Sequence, residues 1–162
     1  MRANDVELAV SRDFDIRQNI IVPNVYWGIR GLDYEADLVV LRPSGYAIEI
    51  EIKVTAADIR ADLKKQHAHG SKLFKELWFA APAELSGHRD IPARAGIISI
   101  EPCKSSSWQP NGYVARRIRV AQTNKSAVKW SEQRRLELCR LATMRVWSLK
   151  AHLARKKTRH KG

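Results

Sequence analysis

Two strand-like runs separated by a short turn dominate the first third of the chain, and acidic side chains lie along both. The first run, 36–41, carries Asp37, and the second, 46–54, follows the turn Pro43-Ser44-Gly45. A three-residue loop of this kind closes a β-hairpin and fixes how its two strands pair. Counting outward from the loop, Asp37 falls opposite Glu51. Opposed residues on one face lie about 5 Å apart at their Cβ atoms, so these two carboxylates are predicted to be neighbours.

Alternation along the second run divides its side chains between the two faces of a sheet. Glu49, Glu51 and Lys53 share one face, and the opposite face is apolar, with Ile48, Ile50, Ile52 and Val54. Facing carboxylates repel, so a positive charge is expected between or beside them. A divalent metal with Lys53 alongside is one solution, and an exposed hairpin face carrying ordinary charges is the other.

A metal at this position would be Mg²⁺ by the type of its ligands. Mg²⁺ is held by one or two carboxylates together with water and substrate phosphate. Asp37 and Glu51 supply the carboxylates, and the backbone carbonyl of Ile52 is a candidate third ligand. Glu49 is an additional carboxylate that shares the metal or recruits a second one.

Charge is distributed very unevenly along the chain. The 162 residues carry a net charge of +12. Residues 1–102 hold 13 Lys or Arg and 15 Asp or Glu, whereas residues 103–162 hold 16 and 2. A strongly basic segment favours a polyanionic partner, with nucleic acid first and an acidic membrane surface second. No window approaches the roughly 20 apolar residues of a membrane span. The sequence also lacks an amphipathic membrane helix, so no membrane partner is expected.

The predicted elements alternate between helix and strand. A helix is expected over 6–16, capped by Asn4 or Asp5, and a strand over 20–30 whose best part is 25–29. The hairpin follows, and Thr55 with Asp58 predicts the capping box of a helix that Gly70 stops. The remaining elements are buried strands over 76–81 and 95–100, a strand over 112–121 and a helix over 132–154 with Ser131 as its N-cap. This order predicts an α/β (α+β) fold with a mixed central sheet flanked by helices and a basic C-terminal helical extension.

Three segments are predicted along the chain. Residues 1–102 form the core, and residues 103–154 form a basic strand, loop and long helix packed on it. Residues 155–162 are a basic tail, expected to be disordered or to become ordered on nucleic acid.

Asp37 followed by Glu51-Ile52-Lys53 resembles the D…(D/E)-x-K signature of the PD-(D/E)XK nuclease superfamily. The element order resembles the α-β-β-β-α-β core of its restriction-endonuclease-like fold. The stretches EIKVTAADIRADLKK, ELWFAAP and ARAGIISI further resemble the MmcB-like DNA-repair and phage-borne branch. The resemblance covers residues 1–102. One departure is Ala36, where the signature has proline.

The resemblance implies phosphodiester hydrolysis in DNA with Mg²⁺ or Mn²⁺ as the cofactor. Asp37 and Glu51 then bind the metal and Lys53 assists the attacking water. Supporting roles are implied for Glu7 on the first helix, and for Lys64, Lys65 and Gln66 on the helix after the motif, where Lys64 contacts DNA.

Six further basic residues are candidate DNA contacts. Arg116, Arg117 and Arg119 are predicted to form a phosphate-facing edge, although an exposed charged strand explains them nearly as well. Arg155, Lys156 and Lys157 form either a non-specific clamp or a solvated tail.

Together these features predict a metal-dependent DNA nuclease of DNA repair, recombination or phage DNA metabolism. The alternative is a non-catalytic DNA-binding module on the same fold. Cleavage of both strands by one site per chain requires a homodimer or two sequential events, and the sequence shows no interface that decides between them. With two cysteines and no CxxC spacing, a reducing cytoplasm is expected, that of a bacterial cell or phage-infected host.

Overall fold

The computed structural model describes residues 1–62, 71–106 and 111–159, with the backbone alone for Asp62 and 156–159. Six strands there form one mixed sheet, and helices lie on its faces, as the predicted α/β (α+β) class requires. The elements are α1 (Ala3–Asp13), β1 (Ile20–Val25), β2 (Ala36–Leu41), β3 (Ala47–Ile52), α2 (Ala56–Asp62), β4 (Phe74–Pro82), a 3-10 turn (Ala83–Leu85), β5 (Gly96–Pro102), β6 (Tyr113–Arg119) and α3 (Glu132–Arg159).

The strands lie side by side in chain order, from β1 at one edge to β6 at the other. β2 is antiparallel to both of its neighbours, β1 and β3. β3, β4 and β5 are mutually parallel, and β6 is antiparallel to β5. A parallel pair needs a crossover connection, and α2 lies in the one that joins β3 to β4.

The hairpin between β2 and β3 has the predicted register. Leu38 pairs with Ile50. Arg42 donates its backbone N–H to the carbonyl of Tyr46 at 3.0 Å, and Gly45 donates back to Arg42 at 2.9 Å. Gly45 adopts a φ of +88°, the left-handed conformation that a glycine enters without strain.

The sheet buries its two faces differently. The face beneath α1 is one continuous apolar core, in which Val6 and Val10 pack on Leu38, Ile50 and Trp78. The opposite face carries two separate cores, and we call it the divided face. One core lies beneath α3 and contains Val39, Leu41, Trp130, Leu138 and Leu141, and the other contains Ile59, Leu77, Phe79, Ile91 and Ile97.

The first helix begins earlier than predicted. It starts at Ala3, and Asp5 lies within its first turn, where its carboxylate accepts the backbone N–H of Arg2 at 2.8 Å. The expected N-cap at Asn4 or Asp5 is therefore wrong, because Asp5 acts from inside the helix. The capping box of α2 is confirmed: Asp58 accepts the Thr55 N–H at 2.9 Å, and the Thr55 hydroxyl accepts that of Asp58 at 3.1 Å.

The strand expected over 20–30 is confirmed only in its first half. It contains Pro23, which an edge strand tolerates, and it ends at Val25. Asn24 and Gly28 both adopt positive φ, +52° and +82°, which breaks the extended conformation. The prediction that 25–29 is its best part is wrong.

The last helix confirms its predicted start and departs from its predicted packing and end. The Ser131 hydroxyl accepts the Arg134 N–H at 3.3 Å. Leu138 and Leu141 are buried, but Leu149 and Leu153 are 59% and 51% exposed. The helix also passes Ala154 and reaches Arg159, so residues 155–159 are helical, and 160–162 lie outside the described residues. Within the described ranges, no helix is long and apolar enough to cross a bilayer.

Gly96 is required by a close contact between β5 and the Trp78 indole of β4. A Cβ at position 96 would lie 2.3 Å from that ring, whereas one at Gly87 would meet nothing within 4 Å. We expect Gly96→Ala to lower the free energy of unfolding by about 1–3 kcal/mol through overpacking. Chemical denaturation measures it, with Gly87→Ala as the matched control. Equal stability of the two variants would contradict this packing.

Candidate active site

The predicted carboxylate pair lies where β2 begins and β3 ends. Because Leu38 pairs with Ile50, the next step outward places Asp37 opposite Glu51. Asp37 Oδ2 accepts the backbone N–H of Ile52 at 2.8 Å, so a side chain takes over as hydrogen-bond acceptor at this end of the hairpin.

Lys53 joins the two carboxylates. Its Nζ lies 2.6 Å from Glu51 Oε2 and 3.9 Å from Asp37 Oδ2. Its backbone N–H donates to the carbonyl of Ala80 at 3.0 Å, and its ammonium lies 5.7 Å from the centre of the Phe79 ring. The strand end, the neighbouring parallel strand and the aromatic ring together hold the lysine in one position.

The charged row formed by β3 and the residue that follows it is buried in the gap between the two cores of the divided face. Glu49, Glu51 and Lys53 are 2%, 3% and 5% exposed, and the Asp37 side chain retains 34%. The alternative of an exposed hairpin face with ordinary charges is therefore wrong. Buried charges are costly unless they are paired, which the Lys53–Glu51 contact achieves. Asp37 gives the cluster its access to solvent.

Glu7 of α1 lies near Asp37, although it comes from the other layer. Burial raises the pKa of the Glu7 carboxyl, and the negative charge of Asp37 raises it further. The helix thus brings a third acidic group toward the pair, at the position the resemblance implies for a supporting residue.

Tyr34 is a neighbour of the site that the sequence did not indicate. Its hydroxyl forms a hydrogen bond with Glu49. Burial raises the pKa of the phenol first, and the charges of Glu49 and Glu51 raise it further, so the neutral hydroxyl is the donor. Tyr34 lies in the loop before β2, outside any strand, so the register counting that found Asp37 had no means of placing it.

Glu49 lies one pleat away from the Asp37–Lys53 group, because residues two apart on a strand are about 7 Å from each other. Besides Tyr34, it borders a small pocket whose lining includes Lys75, Arg94 and Asn124. A role for Glu49 in metal binding stays a prediction.

The donor atoms fit a hard divalent cation. Within the described residues, no group of three or more His, Cys, Asp or Glu side chains is arranged to hold a metal. Mg²⁺ does not need such a cage, since it usually binds through one or two carboxylates and keeps several waters. In an extended strand the N–H and C=O of one residue point to the same side. The Ile52 carbonyl is therefore directed toward the Asp37 side, as a third oxygen ligand would require.

The three arginines of β6 differ in their contacts. Arg117 donates to Asp13 at 2.7 Å and lies 4.2 Å from the Phe14 ring centre, and Arg119 donates to the carbonyls of Ala95 and Pro92. Both guanidinium groups make contacts within the fold, and their part in a phosphate-facing edge stays a prediction. The Arg116 side chain is 66% exposed and pairs with Glu101.

The other predicted contacts fall at the limits of what the structure describes. Arg155 is exposed on α3, and Lys156 and Lys157 continue that helix with their side chains outside the described atoms. Lys64, Lys65 and Gln66 lie outside the described residues.

Comparison with known proteins adds evidence on the fold. No family model and no curated protein matches the chain. Among solved structures, the chain is similar to the SPO1766 protein of unknown function from Silicibacter pomeroyi, with 22% identity and a TM-score of 0.65. The match covers 96% of this chain and 94% of that one. At this identity the likeness extends to the fold alone.

The raised pKa of Glu7 predicts a pH-dependent stability in metal-free buffer. A carboxyl whose pKa is raised on folding contributes stability at pH values below its ordinary, unfolded-state pKa. This contribution is lost as the pH rises through the pKa of the folded state. We therefore expect Glu7→Gln to raise the melting temperature in EDTA at about pH 7.5 and to have little effect near pH 4.

Glu84→Gln on the exposed 3-10 turn is the matched control, and it is expected to leave the melting temperature unchanged at both pH values. A Glu7→Gln effect that is the same at both pH values would show that packing, and not ionisation, is responsible.

Proposed function

We propose that this protein is a metal-dependent nuclease that hydrolyses phosphodiester bonds in DNA. The observation that carries the proposal is the meeting of Asp37, Glu51 and Lys53 at one end of the β2–β3 hairpin, with Lys53 Nζ within 4 Å of both carboxylates. A buried lysine between two acids, one of them open to solvent, has the composition of a metal-assisted hydrolytic site. The resemblance to the PD-(D/E)XK signature lies in these same residues.

Each side chain has a separate task in this proposal. Asp37 and Glu51, with the Ile52 carbonyl, would hold Mg²⁺ or Mn²⁺, which when bound polarises the scissile phosphate. Lys53 orients the attacking water and stabilises the charge that develops on the phosphate oxygens. Its contact with Phe79 and the hydrogen bond to Ala80 keep the ammonium in place during the reaction.

The position of the basic helix supports a DNA substrate. Trp130, just before α3, donates to Gly45 at the hairpin turn, and Arg145 donates to the carbonyl of Asn24 at the other end of the strands. The adjacent Val25 pairs with Ala36, the residue before Asp37. The helix therefore leaves the body at the same end of the sheet as the acidic site, carrying positive charge that attracts phosphates.

A DNA-binding module without cleavage is the second candidate. It is favoured by the way the three residues satisfy one another without substrate: Asp37 accepts the Ile52 N–H, and Glu51 pairs with Lys53. Such a protein would bind DNA in repair, recombination or phage DNA metabolism and leave it intact.

Metal-dependent cleavage of plasmid and short duplex DNA separates the two candidates. We expect cleavage with Mg²⁺ or Mn²⁺, none in EDTA, and a loss of at least ~10²-fold in rate in Lys53→Ala, the size typical of a positioned acid–base group. Lys125→Ala removes the same charge from an exposed position and is expected to retain full activity.

Asp37→Asn is expected to abolish cleavage without changing DNA affinity in EDTA. Cleavage that survives EDTA or Lys53→Ala would overturn the proposed site. Tight binding with no cleavage under either metal would establish the second candidate.

The C-terminal basic residues are expected to contribute affinity that does not depend on DNA sequence. Deleting residues 155–162 should weaken duplex binding and flatten the plot of log K against log salt concentration by about 0.9 per lost phosphate contact. Fluorescence anisotropy over a salt series measures this slope. An unchanged slope would assign the segment no part in DNA binding.

A further inference from the structure

The second half of α3 exposes an unusual concentration of large apolar side chains. Five of them fall within ten residues: Met144, Val146, Trp147, Leu149 and Leu153, each 42–64% exposed. The helix contacts the body as far as Arg145, and from residue 143 to 155 every residue of α3 is exposed. The sheet cannot account for these apolar residues, because this part of the helix has left it.

Four of the apolar residues on this helix follow the spacing of a coiled coil, the first half-buried against the core beneath α3 and the other three exposed. Ala142, Val146, Leu149 and Leu153 are separated by four, three and four residues, which places them in one stripe along the helix. We call these four residues the arm stripe. In this register Val146 and Leu153 take the a positions of the heptad and Ala142 and Leu149 the d positions. The pair Val146 and Leu149 has the β-branched and leucine combination that favours two-stranded pairing. An apolar stripe offers no favourable contact to DNA phosphates, so DNA binding does not explain it.

The residues flanking the arm stripe carry only positive or neutral side chains. The flanking positions of the heptad are occupied by Thr143, Arg145, Lys150 and His152, and no acidic residue follows Glu137 in the sequence. Flanking charges determine which helix a coiled coil accepts. A second copy would present the same basic flanks and be repelled in either orientation, whereas acidic flanks would form ion pairs on both sides.

We propose that the arm stripe is the docking site for an acidic amphipathic helix of another protein. The partner helix has apolar residues at heptad spacing and Glu or Asp at its flanking positions. It lies along α3 beyond Arg145, where the arm leaves the sheet near the acidic site. This interaction does not depend on nuclease activity, and a protein without cleavage would bind the same partner.

Binding of a designed peptide by the full-length protein tests the proposal. The probe is a labelled three-heptad peptide with Leu at both core positions and Glu at both flanking positions, and its control replaces the Leu residues by Ser. We expect binding of the Leu peptide in the micromolar range by fluorescence anisotropy, and binding at least tenfold weaker for the Ser peptide.

Two matched double variants locate the surface. Leu149→Gln/Leu153→Gln removes two exposed residues of the arm stripe, and Met144→Gln/Trp147→Gln removes two exposed residues beside it. The first pair is expected to weaken peptide binding at least tenfold, and the second to leave it within about twofold. Neither changes charge, so both are expected to retain DNA affinity, and circular dichroism confirms that α3 stays helical.

Several results would overturn the proposal. Equal binding of the Leu and Ser peptides would make the attraction purely electrostatic. Absence of peptide binding, or loss of binding only in the Met144/Trp147 variant, would exclude the arm stripe. Leu149-dependent dimers in sedimentation would identify a second copy as the occupant, and Leu149-dependent binding to anionic vesicles without peptide binding would identify a lipid surface.

Discussion

A buried lysine that directly follows the central strand β3 sets the conditions that the rest of the structure meets. Lys53 and Glu51 are both almost fully removed from water and lie 2.6 Å apart. Breaking such a pair costs about 3–5 kcal/mol, so the residues around it must keep it intact. The parallel neighbour β4 supplies Phe79 and the Ala80 carbonyl, and the antiparallel neighbour β2 supplies Asp37. The antiparallel and the parallel part of the mixed sheet thus meet at β3, and the acidic group lies at the end of that strand.

The site could be predicted from the sequence because it is a local structure. A three-residue loop fixed the register, and alternation then placed Asp37, Glu51 and Lys53 together with no knowledge of the remaining fold. Burial of the row could not be predicted the same way, since it depends on the two cores that flank it. Tyr34 and Phe79 reach the site through a loop and a parallel crossover, and neither connection leaves a periodic signal.

Departures from the predicted fold have a common cause. The positive φ of Asn24, one residue before the end of β1, and that of Gly28 interrupt the extended conformation, although apolar residues continue to Ile29. The side chains of Arg117 and Arg119 joined β6 to α1 and to the link before β5, although their charge indicated a surface role. For α3, periodicity predicted the helix and Ser131 predicted its start. Neither signal shows how far along the helix its apolar side chains pack on the sheet. In each case the residue types were a correct guide to the element, but the tertiary contacts of those residues could not be predicted from them.

The hydrogen bond from the Ile52 backbone to Asp37 makes a candidate site residue part of the fold, so replacing that residue also lowers stability. Asp37 closes the end of a strand pair, and Lys53 neutralises a buried acid, so both residues contribute to folding independently of the proposed cleavage. A lineage that no longer needed cleavage would lose stability before it lost these side chains. The motif would thus outlast the activity, and the first positions to drift would be those that touch only the substrate.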